Sequence, residues 1–239
     1  MDSITYKKNY IVKPGDVDFH KKLKLSSIMN ILQELAVFGA EYLNFGKDKT
    51  LDKGYLWVFS KLEIDIFRYP EYLEEIKLAT YPNQTMHFIY PRTFEIKDKD
   101  NNLIIKAKSL WCLIDANSRR ILSPKESGIN PVSLIKVEKI KGIDAKDAKI
   151  VQMRKVRYSD LDINKHVNNI RYLEYIIDLF DSDYLSNHII KNINMIFHHE
   201  IKEHDLVKIN ASIDKSYYVF FVNDNGQDKK VFECNIEFE

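Results

Sequence analysis

Tyr158-Ser-Asp-Leu-Asp-Ile-Asn-Lys-His-Val-Asn-Asn-Ile-Arg-Tyr-Leu-Glu-Tyr-Ile-Ile-Asp-Leu-Phe180 carries two periods in succession, and the change between them sets the fold. Asp162, Asn164 and His166 stand at i, i+2 and i+4, so in extended backbone all three project to one side. From Tyr172 the period is helical. Tyr172, Leu173, Tyr175, Ile176, Leu179 and Phe180 recur at three- and four-residue intervals and form one stripe, with Asn168 or Asn169 as N-cap. A carboxylate, an amide and an imidazole thus precede a helix start. There the unpaired backbone N–H groups and the positive dipole end suit an oxyanion, which places the donors at Val167 and Asn168.

The same plan stands 144 residues upstream. Thr5 to Val12 reads as a strand, Pro14-Gly15 as a turn, and Ile28, Ile31, Leu32, Leu35 and Phe38 as a helical stripe. Asp162 falls on Asp18 (162−18=144) and Val167 on Leu23 (167−23=144), an internal duplication. After each helix come four strand-like runs. They are Tyr55 to Phe67, Glu75 to Tyr81, His87 to Ile96 and Leu103 to Ile114, then Asn192 to Glu200, Asp205 to Ile213, Tyr217 to Val222 and Lys230 to Phe238. Lys97 to Asn102 reads as a tight turn and Asn225-Gly226 as a hairpin turn. The expected fold class is α+β: two tandem units, each a long helix wrapped by a curved antiparallel sheet arranged as a meander. The units are placed at residues 1–130 and 148–239, with residues 131–147 as linker.

Bulk composition narrows the partners. With 36 basic and 35 acidic residues, a net charge of +1 offers no global field for nucleic acid. No apolar run approaches the roughly 20 residues of a membrane span, and Met1 to Lys8 lacks the apolar core of a signal peptide, so a cytoplasmic location is expected. Cys112 and Cys234 lie in apolar strand-like runs and read as buried, reduced thiols.

Duplication supplies an internal control, because scaffold positions recur whereas catalytic ones need survive once. Asp162 matches Asp18, which leaves a turn-stabilising role open beside a functional one. Asn164 matches His20 and His166 matches Lys22, so the chemistry is confined to the second half. Phe197-His-His-Glu-Ile-Lys-Glu-His-Asp205 aligns with Phe67 to Glu75, which sets Glu200 on Pro70 (200−70=130). His199-Glu-Ile-Lys-Glu-His204 is one residue longer than the zincin motif and sits in alternating sequence, which argues against a metal. Gln33 and Glu34 lie on the first helix, where a solvated Glu competes with a substrate-side role. Lys21, Lys22 and Lys24, with Arg154, Lys155 and Arg157, are read as corresponding positions flanking the site entrance, against the alternative of a scattered solvated face.

Asp162-Ile-Asn-Lys-His-Val-Asn-Asn169 resembles the D-x-N-x-H-V-N-N signature of acyl-acyl-carrier-protein thioesterases. Trp57-Val-Phe-Ser-Lys61, Arg68-Tyr-Pro70 and Trp111-Cys-Leu-Ile-Asp-Ala-Asn-Ser-Arg-Arg120 extend the likeness in family order over nearly the whole chain. The resemblance implies a double hotdog fold and hydrolysis of acyl-carrier thioesters to free fatty acid, without a cofactor. It also implies catalytic roles for Asp162, Asn164, His166 and Glu200. Plant members carry a cysteine directly after the glutamate; this chain has Ile201, which removes a cysteine nucleophile there and leaves water attack, with Glu200 or His166 as base. The implied partners are acyl carrier protein and a fatty acyl chain, with Lys22 and Arg157 as carrier contacts and a homodimer left open. An acyl-coenzyme A thioesterase and a non-catalytic acyl-binding regulator remain as alternatives. Against the regulator, the first strand begins almost at Met1, where such proteins bring a helix-turn-helix.

Overall fold

A computed structural model describes residues 4–145 and 147–239. They form two compact units, residues 1–140 and 141–239.

In the first unit, strand β1 (Tyr6–Ile11) leads through a 3-10 turn at Pro14–Asp16 into helix α1 (Leu25–Tyr42). Strands β2 (Tyr55–Ile66), β3 (Glu75–Pro82), β4 (Tyr90–Lys97) and β5 (Leu103–Asp115) follow, then the short helix α2 (Pro124–Ser127). All pairings are antiparallel, in the order β1-β3-β4-β5-β2. The alternation in β3, with Ile76, Leu78, Thr80 and Pro82 inward, is that of a strand with one buried face. Helix α1 lies against β1 and β3, and its Leu25, Ile28, Met29, Ile31, Leu32 and Leu35 are buried. Phe38, expected in that stripe, is exposed and meets the Tyr6 ring at 6.4 Å instead. Glu34 is exposed and accepts from Asn30 Nδ2 at 3.0 Å, the solvated alternative.

The second unit repeats the plan with β6 (Ala148–Lys155), α3 (Asn169–Ile177), α4 (Ser182–Asn187), β7 (Ile190–Phe197), β8 (Leu206–Ser212), β9 (Tyr217–Asp224) and β10 (Gln227–Phe238). Its order is β6-β8-β9-β10-β7, all antiparallel. Asn225 and Gly226 at the β9–β10 hairpin have φ of 54° and 88°, the left-handed pair a two-residue turn needs. Tyr172 and Tyr175 from α3 are buried among Phe220 and Phe232; the Tyr172 and Phe232 rings stand 5.0 Å apart.

Two expectations about the units need correction. The four strands after each helix are not a plain meander, because β2 pairs with β5 and β7 with β10 rather than with the strand that follows. The connecting segment is held elsewhere. Leu23 N donates to Pro70 O and Tyr72 N to Lys21 O, so residues 67–74 pack on the turn before α1 instead of closing a hairpin. The second helix is also short. It ends at Ile177, the chain turns through Leu179 and Phe180, and Asp181 Oδ1 accepts from Tyr184 N at 2.7 Å to start α4.

Glu63 and Lys108 face each other across β2 and β5, both buried, with 2.9 Å between carboxylate and ammonium. Both cysteines are free; Cys234 is fully buried but Cys112 only half so, and burial raises both thiols above their usual range. No helix of the described residues is long and apolar enough to cross a membrane.

Candidate active site

Residues 162–166 are a tight turn and not an extended strand. Lys165 N donates to Asp162 O at 3.0 Å, Asp162 N donates to His166 O at 2.8 Å, and Lys165 has a φ of 62°. The i, i+2, i+4 projection therefore does not hold. Asp162 Oδ1 accepts from the backbone N–H of Asn164 at 2.8 Å and of His166 at 3.2 Å, which is how a short carboxylate closes a turn. Asn164 is exposed, near the tip of this turn.

The turn delivers His166 to Glu200. Nε2 of the imidazole lies 3.3 Å from Oε2 of the carboxylate, with side-chain exposures of 22% and 34%. Two backbone contacts fix the approach: His166 bridges Lys202, and Val167 N donates to Ile201 O at 2.8 Å. Ile201 is fully buried, so Glu200 is anchored by its neighbour and remains partly open to solvent. An imidazole beside a carboxylate, both reachable by water, can take and return a proton.

The expected oxyanion donors are already committed. Val167 N is spent on Ile201 O and Asn168 N donates to Asp160 O at 2.8 Å, because this stretch pairs with its neighbours before the helix begins. Asn168 is the N-cap, its Oδ1 accepting from Ile170 N at 3.0 Å.

The repeat register is also corrected. Leu23 N bonds Pro70 O as Val167 N bonds Ile201 O, and Val12 N bonds Glu74 O as Val156 N bonds Asp205 O. Leu23 maps to Val167 by 144, so Pro70 maps to Ile201 (201−70=131) and Glu200 falls on Tyr69 (200−69=131). Gap placement in the connecting segment could not be fixed from residue types alone. Similarly, Arg157 N donates to Asp160 Oδ2 at 2.8 Å as Lys13 N does to Asp16 Oδ2, so Arg157 corresponds to Lys13 (157−13=144) and not to the Lys21–Lys24 group. Lys22 and Arg157 are both exposed, Lys22 in the first unit and Arg157 in the second.

Tyr172, a member of the helical stripe, also belongs to this neighbourhood. Burial raises its phenol above the usual range, and the charges of Glu200 and Asp162 push the same way, while a bond from the Ile201 backbone opposes them. Its partner in the first repeat is Ile28 (172−144=28), an apolar-to-polar change that the offset could have flagged. His198 is engaged elsewhere, with Nε2 2.7 Å from Glu233 Oε2, and His204 sits in a turn with φ 73°. Among the described residues no group of three or more His, Cys, Asp or Glu is placed to hold a metal.

The acyl-ACP thioesterase N-terminal domain family matches residues 3–130 and the acyl-ACP thioesterase C-terminal domain family matches residues 143–239. Oleoyl-acyl carrier protein thioesterase 2, chloroplastic, of Arabidopsis thaliana is 26% identical over 231 residues, covering 86% of this chain and 62% of the plant protein. The chain thus spans about three fifths of the length of that relative. The crystal structure of an acyl-ACP thioesterase from Bacteroides thetaiotaomicron is 28% identical, with a TM-score of 0.87 and full coverage of both chains. The 12:0-ACP thioesterase from Umbellularia californica, at 18% identity, shares the fold with a TM-score of 0.79 over 99% of this chain and 97% of that one.

Proposed function

We propose, for a chain that belongs to the acyl-ACP thioesterase family, that it hydrolyses the thioester of acyl-acyl carrier protein to free fatty acid and carrier, ending chain elongation. The observation that carries this reading is the His166–Glu200 pair at 3.3 Å, present in one repeat only, since the first repeat has Lys22 and Tyr69 at those places.

In this mechanism a water beside the pair attacks the thioester carbonyl, and Glu200 or His166 takes its proton. The tetrahedral intermediate expels the carrier thiolate, which the same proton neutralises. Asp162 acts through the turn, holding the backbone of residue 166 so that the imidazole meets the carboxylate. Asn164 is assigned the orientation of that water or of the base, a role its exposed position leaves to the bound complex.

The two units are read as tandem hotdogs, each sheet curved about its helix, in a cytoplasmic enzyme of fatty acid biosynthesis. Lys22 and Arg157 are assigned to the acidic carrier, and a homodimer is the oligomer to look for. Incubation of the purified protein with a ladder of acyl-acyl carrier proteins, with release of the carrier thiol as readout, tests the reading. Thiol release above background on some chain length is expected; none on any length, with the protein folded, would leave an acyl-binding protein without hydrolase activity.

A further inference from the structure

The second unit pins its chain immediately before Glu200. His198 N and His199 N both donate to Val231 O, at 2.9 and 3.2 Å, in a bulge that ends the pairing of β7 with β10. The first unit has the same bulge, where Phe67 N and Arg68 N both donate to Ile104 O at 2.9 and 3.2 Å. Backbone bonds therefore set this bend in both repeats. The side chains differ. Nε2 of His198 stands 2.7 Å from Glu233 Oε2 on β10, and a carboxylate oxygen only accepts, so the imidazole donates.

Glu233 is itself held by further donors. Tyr217 Oη donates to its Oε1 at 2.8 Å, and Lys230 Nζ lies 3.1 Å from Oε2, beside the His198 bond. Burial pushes this carboxyl up, but His198, Tyr217 and Lys230 together hold it below the usual carboxylate range. The shared bulge fixes the counterparts in the first repeat. Phe67 stands for His198 (198−67=131), and with Ile104 on Val231 (231−104=127), Lys106 stands for Glu233 (233−127=106) and Leu103 for Lys230 (230−127=103). Tyr217 pairs with Asn235, whose counterpart Lys108 (235−127=108) pairs with Thr93. None of the four groups recurs, so the network is confined to the repeat that carries His166 and Glu200.

Glu200 comes directly after this bulge and directly before a second fixed point, the buried Ile201, whose O accepts from Val167 N at 2.8 Å. The carboxylate is thus held from both sides as it faces His166 at 3.3 Å. We propose that His198 is a positioning residue for Glu200: its bond to Glu233 fixes the bend from which Glu200 meets His166, and Tyr217 and Lys230 hold Glu233 in place. A catalytic group displaced by about 1 Å can lose about 10² in rate, which gives this bend a kinetic consequence. The assignment rests on the hydrolase reading, in which Glu200 belongs to the reacting pair.

The test is kcat and KM on an acyl-acyl carrier protein for the intact protein carrying His198→Phe, the change to the first-repeat residue, or His198→Gln, whose amide can still donate to Glu233. His198→Phe should lower kcat by about tenfold or more with KM nearly unchanged, and His198→Gln should keep most of the parental kcat. In a Glu200→Gln background, His198→Phe should cost nothing further, because a residue that acts through Glu200 has no effect once the carboxylate is gone. A general structural loss would add instead. Should His198→Phe lose its native melting transition, Tyr217→Phe removes one hydroxyl from the same network, and a kcat lowered by a few-fold is expected there. Parental kcat in the folded His198→Phe or Tyr217→Phe protein, beside a Glu200→Gln that is crippled, would overturn the proposal and leave the hydrolase reading standing. So would equal losses in His198→Phe and His198→Gln, or a full additional loss in the Glu200→Gln background. Parental kcat in Glu200→Gln would end that mechanism and the proposal with it.

Discussion

Asp18 and Asp162, 144 residues apart, make the same pair of bonds. Asp18 Oδ1 accepts from the N–H of His20 at 2.9 Å and of Lys22 at 3.0 Å; Asp162 Oδ1 accepts from those of Asn164 at 2.8 Å and of His166 at 3.2 Å. The carboxylate is thus a turn device in both repeats, and in the second repeat that turn carries the imidazole. Asp18→Ala and Asp162→Ala should each lower unfolding free energy by about 1 kcal/mol, the scale of a lost local side-chain-to-backbone bond. Denaturant titration measures this. Turnover separates them: Asp18→Ala should stay within a few-fold of the parent, and Asp162→Ala should fall further because His166 loses its support.

The buried Glu63–Lys108 pair makes a second prediction. Removing one partner takes the facing opposite charge away from the other inside the sheet, so Lys108→Met should cost about 3 kcal/mol. Glu63→Leu combined with Lys108→Met should recover much of that loss, because the pair's own desolvation disappears with it. A double variant no more stable than the single one would contradict this.

Glu74 sets a pH dependence in the first unit. The Arg68 guanidinium, donating at 2.9 and 2.5 Å, holds this carboxyl below the usual carboxylate range, against the opposing effect of burial. A carboxyl with a lowered folded-state pKa binds fewer protons folded than unfolded, so stability rises with pH across that window. The contribution is full above the unfolded pKa of about 4.3 and is lost as pH falls through the lowered value. Glu74→Gln should therefore flatten the acid limb of a stability-versus-pH curve and leave its shape near neutrality unchanged.

Much of this was legible in the residues. The duplication, the strands, the Asn225-Gly226 hairpin and the Asn168 cap follow from period and turn chemistry, which act locally. Other features were not. That β2 pairs with β5 depends on residues 67–74 docking on a turn about 50 residues earlier, a contact without a local signature. The N–H groups of Val167 and Asn168 looked available because helix starts leave donors unpaired, but their acceptors, Ile201 O and Asp160 O, come from other parts of the chain. His166 and Glu200 were each visible as singular to one repeat; their 3.3 Å approach required the fold.

Lys22 and Arg157 test the carrier assignment. Reversing both charges should raise KM for an acyl-carrier substrate far more than for acyl-coenzyme A, and raised salt should shrink the difference. Equal effects on the two thioesters would show that these exposed groups do not meet the carrier.

The central claim is that the His166–Glu200 pair performs the hydrolysis. The direct measurement is kcat on an acyl-acyl carrier protein substrate for His166→Ala, Glu200→Gln and Lys22→Ala, each checked for a native melting transition. His166→Ala and Glu200→Gln should lower kcat by about 10² or more, the scale of losing a general base. Lys22→Ala, at the equivalent place in the first repeat, should leave kcat within a few-fold. Near-parental kcat in both His166→Ala and Glu200→Gln would contradict the account.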